Sequence, residues 1–216
     1  MEKYFMPALS ALEQYGIVPV VKLERSGDAR PLAEALCAGG LPLAEVTFRT
    51  EAAAASIALI RRELPQMQVG AGTVVNLDQA KQALDAGAAF IVSPGFSPAI
   101  ADFCRERQLP FFPGACTPTE LIQLLDYGLP VAKFFPAAAF GGLSAIKALA
   151  APFPGMRFMP TGGVGSANLA EYLSSPAVIA CGGSWMVKDA LIKAGDFAQI
   201  TALTAQAVAI VKEAGR

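Results

Sequence analysis

Three charged residues lie inside segments that are otherwise apolar. Glu45 and Arg49 belong to the run Leu43–Arg49, and Lys133 is the only lysine in the middle of an apolar run, Val131–Pro136. A charge that points into a packed interior is costly unless it is paired. A lysine amine can attack a keto carbon, a carboxylate can carry a proton, and an arginine can hold a carboxylate through two hydrogen bonds. These side chains predict imine chemistry on a 2-keto acid.

The same charges could also serve only the structure. Lys133 and Glu45 could form an ion pair that fills the interior, because buried charges are usually paired. A nucleophilic lysine must be neutral, whereas a free lysine is almost wholly protonated at pH 7. Burial and a neighbouring cation favour the neutral amine. Period-2 alternation places Glu45, Thr47 and Arg49 on one face of their strand, so we expect Arg49 to supply that cation.

The chain contains no histidine, which excludes several common catalytic arrangements. Neither a Ser-His nor a Cys-His nucleophile pair can form, and zinc would need cysteine or carboxylate ligands alone. The cysteines are isolated and lack a C-x-x-C spacing, which argues against a metal site and a disulfide framework. We expect no metal and no cofactor, and we expect small buried thiols in a reducing compartment. The four are Cys37, Cys104, Cys116 and Cys181.

Composition excludes other classes of protein. Apolar residues make up 54% of the 216 residues and charged residues 16%, with a net charge of −1. Such a chain is too apolar to be disordered. Its basic and acidic residues are balanced, which argues against a basic surface that binds nucleic acid. It also lacks an uncharged apolar run long enough to span a bilayer. The start, Met1 to Tyr4, lacks the pattern of a signal peptide. We therefore expect a cytoplasmic protein.

Short apolar runs alternate with alanine-rich segments along the chain, which favours strands buried on both faces. The eight predicted strands are Ile17–Leu23, Leu43–Arg49, Gln68–Val74, Phe90–Phe96, Pro110–Thr117, Val131–Pro136, Arg157–Gly162 and Val178–Gly182. Predicted helices include Met6–Gln14, Ala29–Ala38, Leu77–Ala86, Ala167–Leu173 and Phe197–Ala214. Helix starts are predicted at the capping residues Asp28, Asn76, Ser97, Thr117 and Ser166.

Eight alternating units predict an α/β fold, a (β/α)₈ barrel in one domain over residues 1–216, with an extra N-terminal helix. An open doubly wound sheet is the alternative, but no G-x-G-x-x-G follows the first strand. In a barrel, chemistry belongs at the carboxyl ends of the strands, and phosphate binds after strands seven and eight.

Glycine pairs follow those two strands. Gly162-Gly163 leads towards a predicted helix, and Gly182-Gly183 precedes Ser184. Glycine lets backbone N–H groups approach an anion, although such pairs often form only tight turns. At the ends of strands three and four, Thr73 could donate to a carboxylate and Pro94 could leave space for a substrate.

Two long motifs and four short ones together resemble the 2-keto-3-deoxy-6-phosphogluconate (KDPG) aldolases, a family of class I aldolases. Gly40 to Arg49 is similar to the family's glutamate motif, and Gly128 to Ala137 is similar to its Schiff-base lysine motif. The short motifs are Val69 to Val74, Ser93 to Phe96, Pro160 to Gly163 and Gly182 to Trp185. The resemblance extends over nearly the whole chain.

The resemblance implies that Lys133 forms an imine and that Glu45 is the general acid and base. It implies that Arg49 and Thr73 hold the pyruvyl carboxylate. It also implies homotrimers and reversible cleavage of KDPG to pyruvate and D-glyceraldehyde 3-phosphate in the Entner-Doudoroff pathway, with 4-hydroxy-2-oxoglutarate as a further substrate. At the phosphate end, the implied contacts are Gly162, Gly163 and Ser184 for the phosphate and Thr161 for the sugar hydroxyls.

Three alternatives stay open. A sister aldolase could act on the galactonate epimer, 2-keto-3-deoxy-6-phosphogalactonate, or on 4-hydroxy-2-oxoglutarate, and the paired glycines favour a phosphorylated substrate. A metal-dependent phosphosugar epimerase could have the same barrel fold, but it would need histidine ligands for its metal, and the chain contains no histidine. The third alternative is a barrel that binds a phosphate ester without catalysis, and the charges at Lys133, Glu45 and Arg49 argue against it.

Overall fold

The computed structural model describes residues 3–216, with side chains from residue 4 onward. The expectation of no signal peptide rests partly on Met1 and Glu2, which lie outside the described residues. The described chain alternates short buried strands with helices. Its strands are β1 (Ile17–Val21), β2 (Leu43–Thr47), β3 (Gln68–Gly72), β4 (Ile91–Val92), β5 (Phe111–Phe112), β6 (Val131–Phe134), β7 (Arg157–Pro160) and β8 (Cys181–Gly183).

All strand pairs are parallel and the sheet closes on itself. Six strands follow the order β5-β4-β3-β2-β1-β8, and β6 pairs with β7. A bridge between Gly114 and Lys133 joins β5 to β6, and a bridge between Thr161 and Gly182 joins β7 to β8. Because these two bridges link both ends of the six-stranded sheet to the β6–β7 pair, the ring of strands has no open edge, and an open doubly wound sheet is excluded. The predicted (β/α)₈ barrel is confirmed.

Helices cover the outside of the barrel, and the predicted N-terminal helix precedes β1. The helices are α1 (Met6–Tyr15), α2 (Ala29–Ala38), α3 (Ala53–Glu63), α4 (Leu77–Asp85), α5 (Pro98–Glu106), α6 (Pro118–Asp126), α7 (Gly142–Ala150), α8 (Leu169–Leu173), α9 (Asp189–Ala194) and α10 (Phe197–Glu213). None of the helices within the described part of the chain is long and apolar enough to cross a membrane.

Three predicted helix starts are confirmed. The side chains of Asn76, Ser97 and Thr117 each accept a hydrogen bond from the backbone N–H three residues later. Thr117 also forms a full capping box with Glu120. These caps satisfy N–H groups that the first turn of a helix leaves without partners.

One predicted helix start is wrong, and one correctly placed start lacks the predicted cap. Helix α2 begins at Ala29, directly after Asp28, as predicted, but the side chain of Asp28 does not cap it. Asp28 ends a short 3₁₀ turn, and its carboxylate instead accepts two hydrogen bonds from Arg25, at 3.0 and 2.8 Å. Ser166 does not open a helix, because α8 begins only at Leu169. The two glycines after β7 have positive φ, and the loop makes a further turn before helical geometry begins.

Aromatic rings close the amino end of the barrel. The Phe90 and Phe112 ring centroids are 5.8 Å apart, and Phe5 meets Phe112 edge-on at 6.0 Å. All three side chains are buried. Edge-to-face pairs add to the stability that the burial of such large rings supplies. The N-terminal segment therefore serves as the floor of the barrel, beneath the inward-facing side chains.

Candidate active site

Lys133 and Glu45 meet inside the barrel. Their strands, β6 and β2, lie on opposite sides of the closed sheet, so only side chains that point inward can bridge them. The Nζ of Lys133 donates a hydrogen bond to the Oε1 of Glu45 at 3.0 Å. The side chain of Lys133 is 5% exposed and that of Glu45 is 0% exposed. The pairing expected from the strand pattern is present.

The second carboxylate oxygen of Glu45 is also buried. Glu45 Oε2 has no hydrogen-bond partner among the described residues. A buried polar atom without a partner is costly, and a catalytic role is one explanation for such an atom. This oxygen is therefore available to accept a proton or a hydrogen bond from a bound molecule.

The aromatic ring of Phe135 lies over the amine, with its centroid 5.8 Å from Lys133 Nζ. Phe135 follows the last residue of β6 and is 40% exposed. The amine thus has an aromatic ring nearby and one carboxylate within hydrogen-bond distance.

Arg49 lies at the mouth rather than inside the barrel, because β2 ends at Thr47 and not at Arg49 as predicted. Arg49 is exposed, and its Nε donates to Thr47 Oγ1 at 3.2 Å. Thr47 Oγ1 in turn donates to the carbonyl of Val21 at 2.9 Å. This chain of bonds ties the guanidinium to the end of β1, above the buried pair.

Thr73 and Pro94 follow β3 and β4 at the same end of the barrel, and both are half-buried. Thr73 has a φ of +56°, in the left-handed region. A threonine in that region costs on the order of 1–3 kcal/mol, and such strain clusters at ligand sites. The Pro94 carbonyl packs closely on Gly114, where an added Cβ would lie 2.0 Å from its oxygen.

The glycine end of the site is built from β7 and β8. Thr161 is buried, its neighbours Gly162 and Gly163 have φ of +92° and +80°, and Ser184 is exposed after β8. Glycine tolerates these values without strain. The backbone N–H of Ala137 donates to the Thr161 carbonyl at 2.8 Å, which docks the loop after β6 against this end.

Asn168 braces the glycine loop. Its Nδ2 donates to the carbonyl of Gly163 at 3.0 Å, and its Oδ1 accepts from the N–H of Gly165 at 2.8 Å. The two bonds hold the loop between Gly163 and α8 in one shape. The anchors at this end are backbone groups and neutral side chains, in contrast to the charged pair deeper in the barrel.

The cysteines lie apart from one another and are free. Cys104 and Cys181 are buried, as expected, whereas Cys37 and Cys116 are only half-buried. Burial raises the pKa of the Cys104 thiol to about 12, and burial also raises the pKa of the Cys116 thiol, whose Sγ donates to the carbonyl of Phe135. Across residues 4–216 no three metal-ligating side chains cluster.

Three residues with a structural part in the site were not singled out from sequence. Thr47 lies on the predicted inner face of β2, and that pattern could have identified it. Gly72 packs under the carboxylate of Glu45, but a glycine in a strand is usually read only as a turn or bulge. Nothing in the sequence pattern marks Asn168 as a site residue, because its two hydrogen bonds depend on the folded shape of the loop.

Comparison with known proteins gives one consistent picture. The family model for KDPG and KHG aldolase matches residues 9–203. The 2-dehydro-3-deoxy-phosphogluconate aldolase of Treponema pallidum is 51% identical over 93% of this chain and 96% of its own. The KHG/KDPG aldolase of Escherichia coli K12 is 43% identical over 96% of this chain and 98% of its own.

Solved structures agree with the sequence relatives. The KDPG aldolase of Zymomonas mobilis ZM4 with 3-phosphoglycerate superposes with a TM-score of 0.87 at 40% identity, covering 93% of this chain and 94% of that one. The KDPG aldolase of Legionella pneumophila, with pyruvate captured as a covalent carbinolamine, has a TM-score of 0.88 at 38% identity. That match covers 91% of this chain and 96% of the other.

Proposed function

The chain belongs to the KDPG and KHG aldolase family, and from this premise we propose that it cleaves KDPG reversibly to pyruvate and D-glyceraldehyde 3-phosphate through an imine on Lys133. The single observation that carries the assignment of the site is the buried contact of 3.0 Å between Lys133 Nζ and Glu45 Oε1. That contact joins the strand whose lysine would bind the substrate to the strand whose carboxylate would move its protons.

The reaction begins when the amine of Lys133 attacks the C2 keto carbon of KDPG. The resulting carbinolamine loses water and becomes a protonated imine, which withdraws electrons from C3. Glu45, directly or through a water, removes the proton of the C4 hydroxyl, and the electron pair of the C3–C4 bond moves towards the imine. D-glyceraldehyde 3-phosphate leaves and a pyruvate enamine stays on Lys133. Glu45 returns the proton to C3, and hydrolysis of the new imine releases pyruvate and the free amine.

The remaining site residues hold the two ends of the substrate. Arg49 and Thr73 would hold the pyruvyl carboxylate at the mouth, and Pro94 would line the same side. Gly162, Gly163 and Ser184 would hold the phosphate. Thr161, buried beside them, would contact the sugar-derived hydroxyls and influence the preference for one epimer at C4.

Borohydride trapping tests the imine. Borohydride reduces an imine to a stable amine, so pyruvate plus borohydride should attach a reduced pyruvyl group to the peptide that contains Lys133. Lys147 is the matched control, because it lies exposed on α7 and should carry no adduct. No adduct on Lys133 at saturating pyruvate would reject the imine mechanism.

A second substrate is 4-hydroxy-2-oxoglutarate, cleaved to pyruvate and glyoxylate. The 43% identical relative named KHG/KDPG aldolase supports it, because the pyruvyl half of both substrates is the same. Cleavage rates on KDPG, its galactonate epimer and 4-hydroxy-2-oxoglutarate would order the three. Faster cleavage of the galactonate compound would overturn the choice of KDPG.

The working form we propose is a homotrimer in the cytoplasm, with residues 1–216 acting as one catalytic domain. The resemblance to the family supports the trimer. One family model matches residues 9–203, which supports a single domain. Sedimentation equilibrium should return three times the chain mass. A monomer or dimer at micromolar concentration would contradict this assembly.

A further inference from the structure

Gly72 lies where the strand beside β2 passes under the carboxylate of Glu45. It is the last residue of β3 and lies in register with Thr47. An added Cβ on Gly72 would lie 2.1 Å from Glu45 Oε1, 2.4 Å from its Cγ and 2.6 Å from its Cδ. Real Cβ atoms essentially never approach another atom within 3.0 Å, so any other residue here would force Glu45 to move.

The backbone does not require glycine at this position. The φ of Gly72 lies outside the left-handed region that favours glycine. What glycine supplies here is the space that a side chain would fill. That space is taken by the carboxylate which accepts the hydrogen bond from Lys133.

We propose that Gly72 is a positioning residue for Glu45, an inference that rests on the proposed aldolase function. Because Gly72 has no side chain, the carboxylate can pack against β3 with Oε1 bonded to the amine and Oε2 without a partner among the described residues. A methyl group at this position displaces both oxygens together. The steps in which Glu45 moves a proton then slow, whereas attack by Lys133 on a carbonyl keeps its amine and its apolar surroundings.

Gly70 provides a matched control on the same strand. It precedes Gly72 by two residues, so it faces the same side of the sheet. An added Cβ on Gly70 would meet the Phe90 ring, with Cε2 at 2.2 Å. Gly70→Ala therefore crowds the floor of the barrel, and Gly72→Ala crowds the carboxylate.

The experiment uses pyruvate alone and two readouts. Borohydride trapping reports the imine on Lys133, and exchange of the pyruvate methyl protons with D₂O reports proton transfer through the enamine. Gly72→Ala should lose about 100-fold or more of the exchange rate, the usual range for a lost general base, while trapping at saturating pyruvate is retained. Gly70→Ala should lower the melting temperature and leave exchange within a few-fold of the wild type.

A double-mutant cycle separates positioning from general damage. In a Glu45→Ala background the carboxylate is gone, so Gly72→Ala should cause no further loss of exchange. If Gly72→Ala fails to fold alone, the double variant should fold with the melting temperature of Glu45→Ala, which supports the same clash. Equal losses in both backgrounds would overturn the proposal.

The two hypotheses fail in different ways. Wild-type exchange in Gly72→Ala, with a normal adduct on Lys133, would reject the role of Gly72 and leave the aldolase intact. A wild-type protein that forms no adduct on Lys133 would reject the proposed function itself.

Discussion

Two lysine–glutamate pairs lie in the carboxyl-end half of the barrel, and they differ mainly in their contact with water. Lys22 and Glu24, just after β1, approach to 2.5 Å, and Asp189 lies 3.6 Å from the same amine. Their side chains are 29% and 47% exposed. The Lys133–Glu45 pair is longer, at 3.0 Å, and its side chains are 5% and 0% exposed.

With Lys133 as the proposed nucleophile, burial rather than pairing distance separates it from Lys22. The hydrogen bond and charge of Glu24, with a contribution from Asp189, raise the pKa of Lys22. Lys22 therefore stays protonated at neutral pH and has no lone pair for a carbonyl. Lys133 has one carboxylate partner, sits away from water, and faces a carboxylate oxygen with no partner among the described residues.

Removal of the two lysines gives the largest expected difference. Lys133→Ala should reduce pyruvate release from KDPG to background, because no amine remains to form the imine. Lys22→Ala should keep the rate within a few-fold of the wild type. A coupled assay for pyruvate measures both. Substantial turnover by Lys133→Ala would show that Lys133 is not the nucleophile.

Removal of the two carboxylates comes next. Glu45→Gln should lower kcat by about 10²–10⁴-fold, the usual contribution of a general base, while the imine with pyruvate still forms and is still trapped. Glu24→Gln should change kcat little. If both variants lose rate equally, burial is not what separates the two pairs.

The phosphate end should respond through substrate binding rather than chemistry. Ser184→Ala should raise KM for KDPG by about tenfold or more, since a hydrogen bond to a charged group contributes roughly 1.5–3 kcal/mol. Cleavage of 4-hydroxy-2-oxoglutarate, which has no phosphate, should keep its KM. Ser166, exposed on the adjacent loop, is the control, and an equal effect of Ser166→Ala would deny Ser184 a specific contact.

The smallest effect is a pH dependence of stability from the exposed pair. The hydrogen bond and charge of Lys22 lower the pKa of Glu24 below its ordinary 4.5. A carboxylate whose pKa is lower in the folded state stabilises the fold above the unfolded pKa, and that contribution is lost as the pH falls through the folded pKa. The melting temperatures of wild type and Glu24→Gln should therefore differ slightly at pH 7 and converge in acid. A difference that grows in acid would contradict this sign.

Much of the barrel could be predicted from sequence because its strands are continuous apolar runs, so single charges within them are conspicuous. That is why Lys133 and Glu45 could be paired across 88 positions of sequence. The position of Arg49 could not be predicted in the same way. The pairing of β2 with β3 stops at Thr47, and no residue type in the sequence marks that end of the strand. The helices α3 and α7 begin without a capping side chain, so packing sets their starts and the sequence carries no signal for them.

The role of Gly72 illustrates a different limit. A pattern of side chains reveals residues that make contacts, whereas Gly72 matters through an atom that it lacks. Only the position of its neighbour Glu45, fixed by the strand register and by the amine across the barrel, gives that missing atom a consequence.

The buried rings of Phe5, Phe112 and Phe90 close the amino end of the barrel, so its interior opens only at the carboxyl end of the strands. With the proposed assignment, the pyruvyl fragment is bonded to Lys133, and both fragments can leave only through the mouth of the barrel. Because pyruvate stays bonded to Lys133 after the C3–C4 bond breaks, the aldehyde departs first, and in the synthetic direction pyruvate enters first. The imine thus sets the order of release, and the closed base leaves both products a single exit.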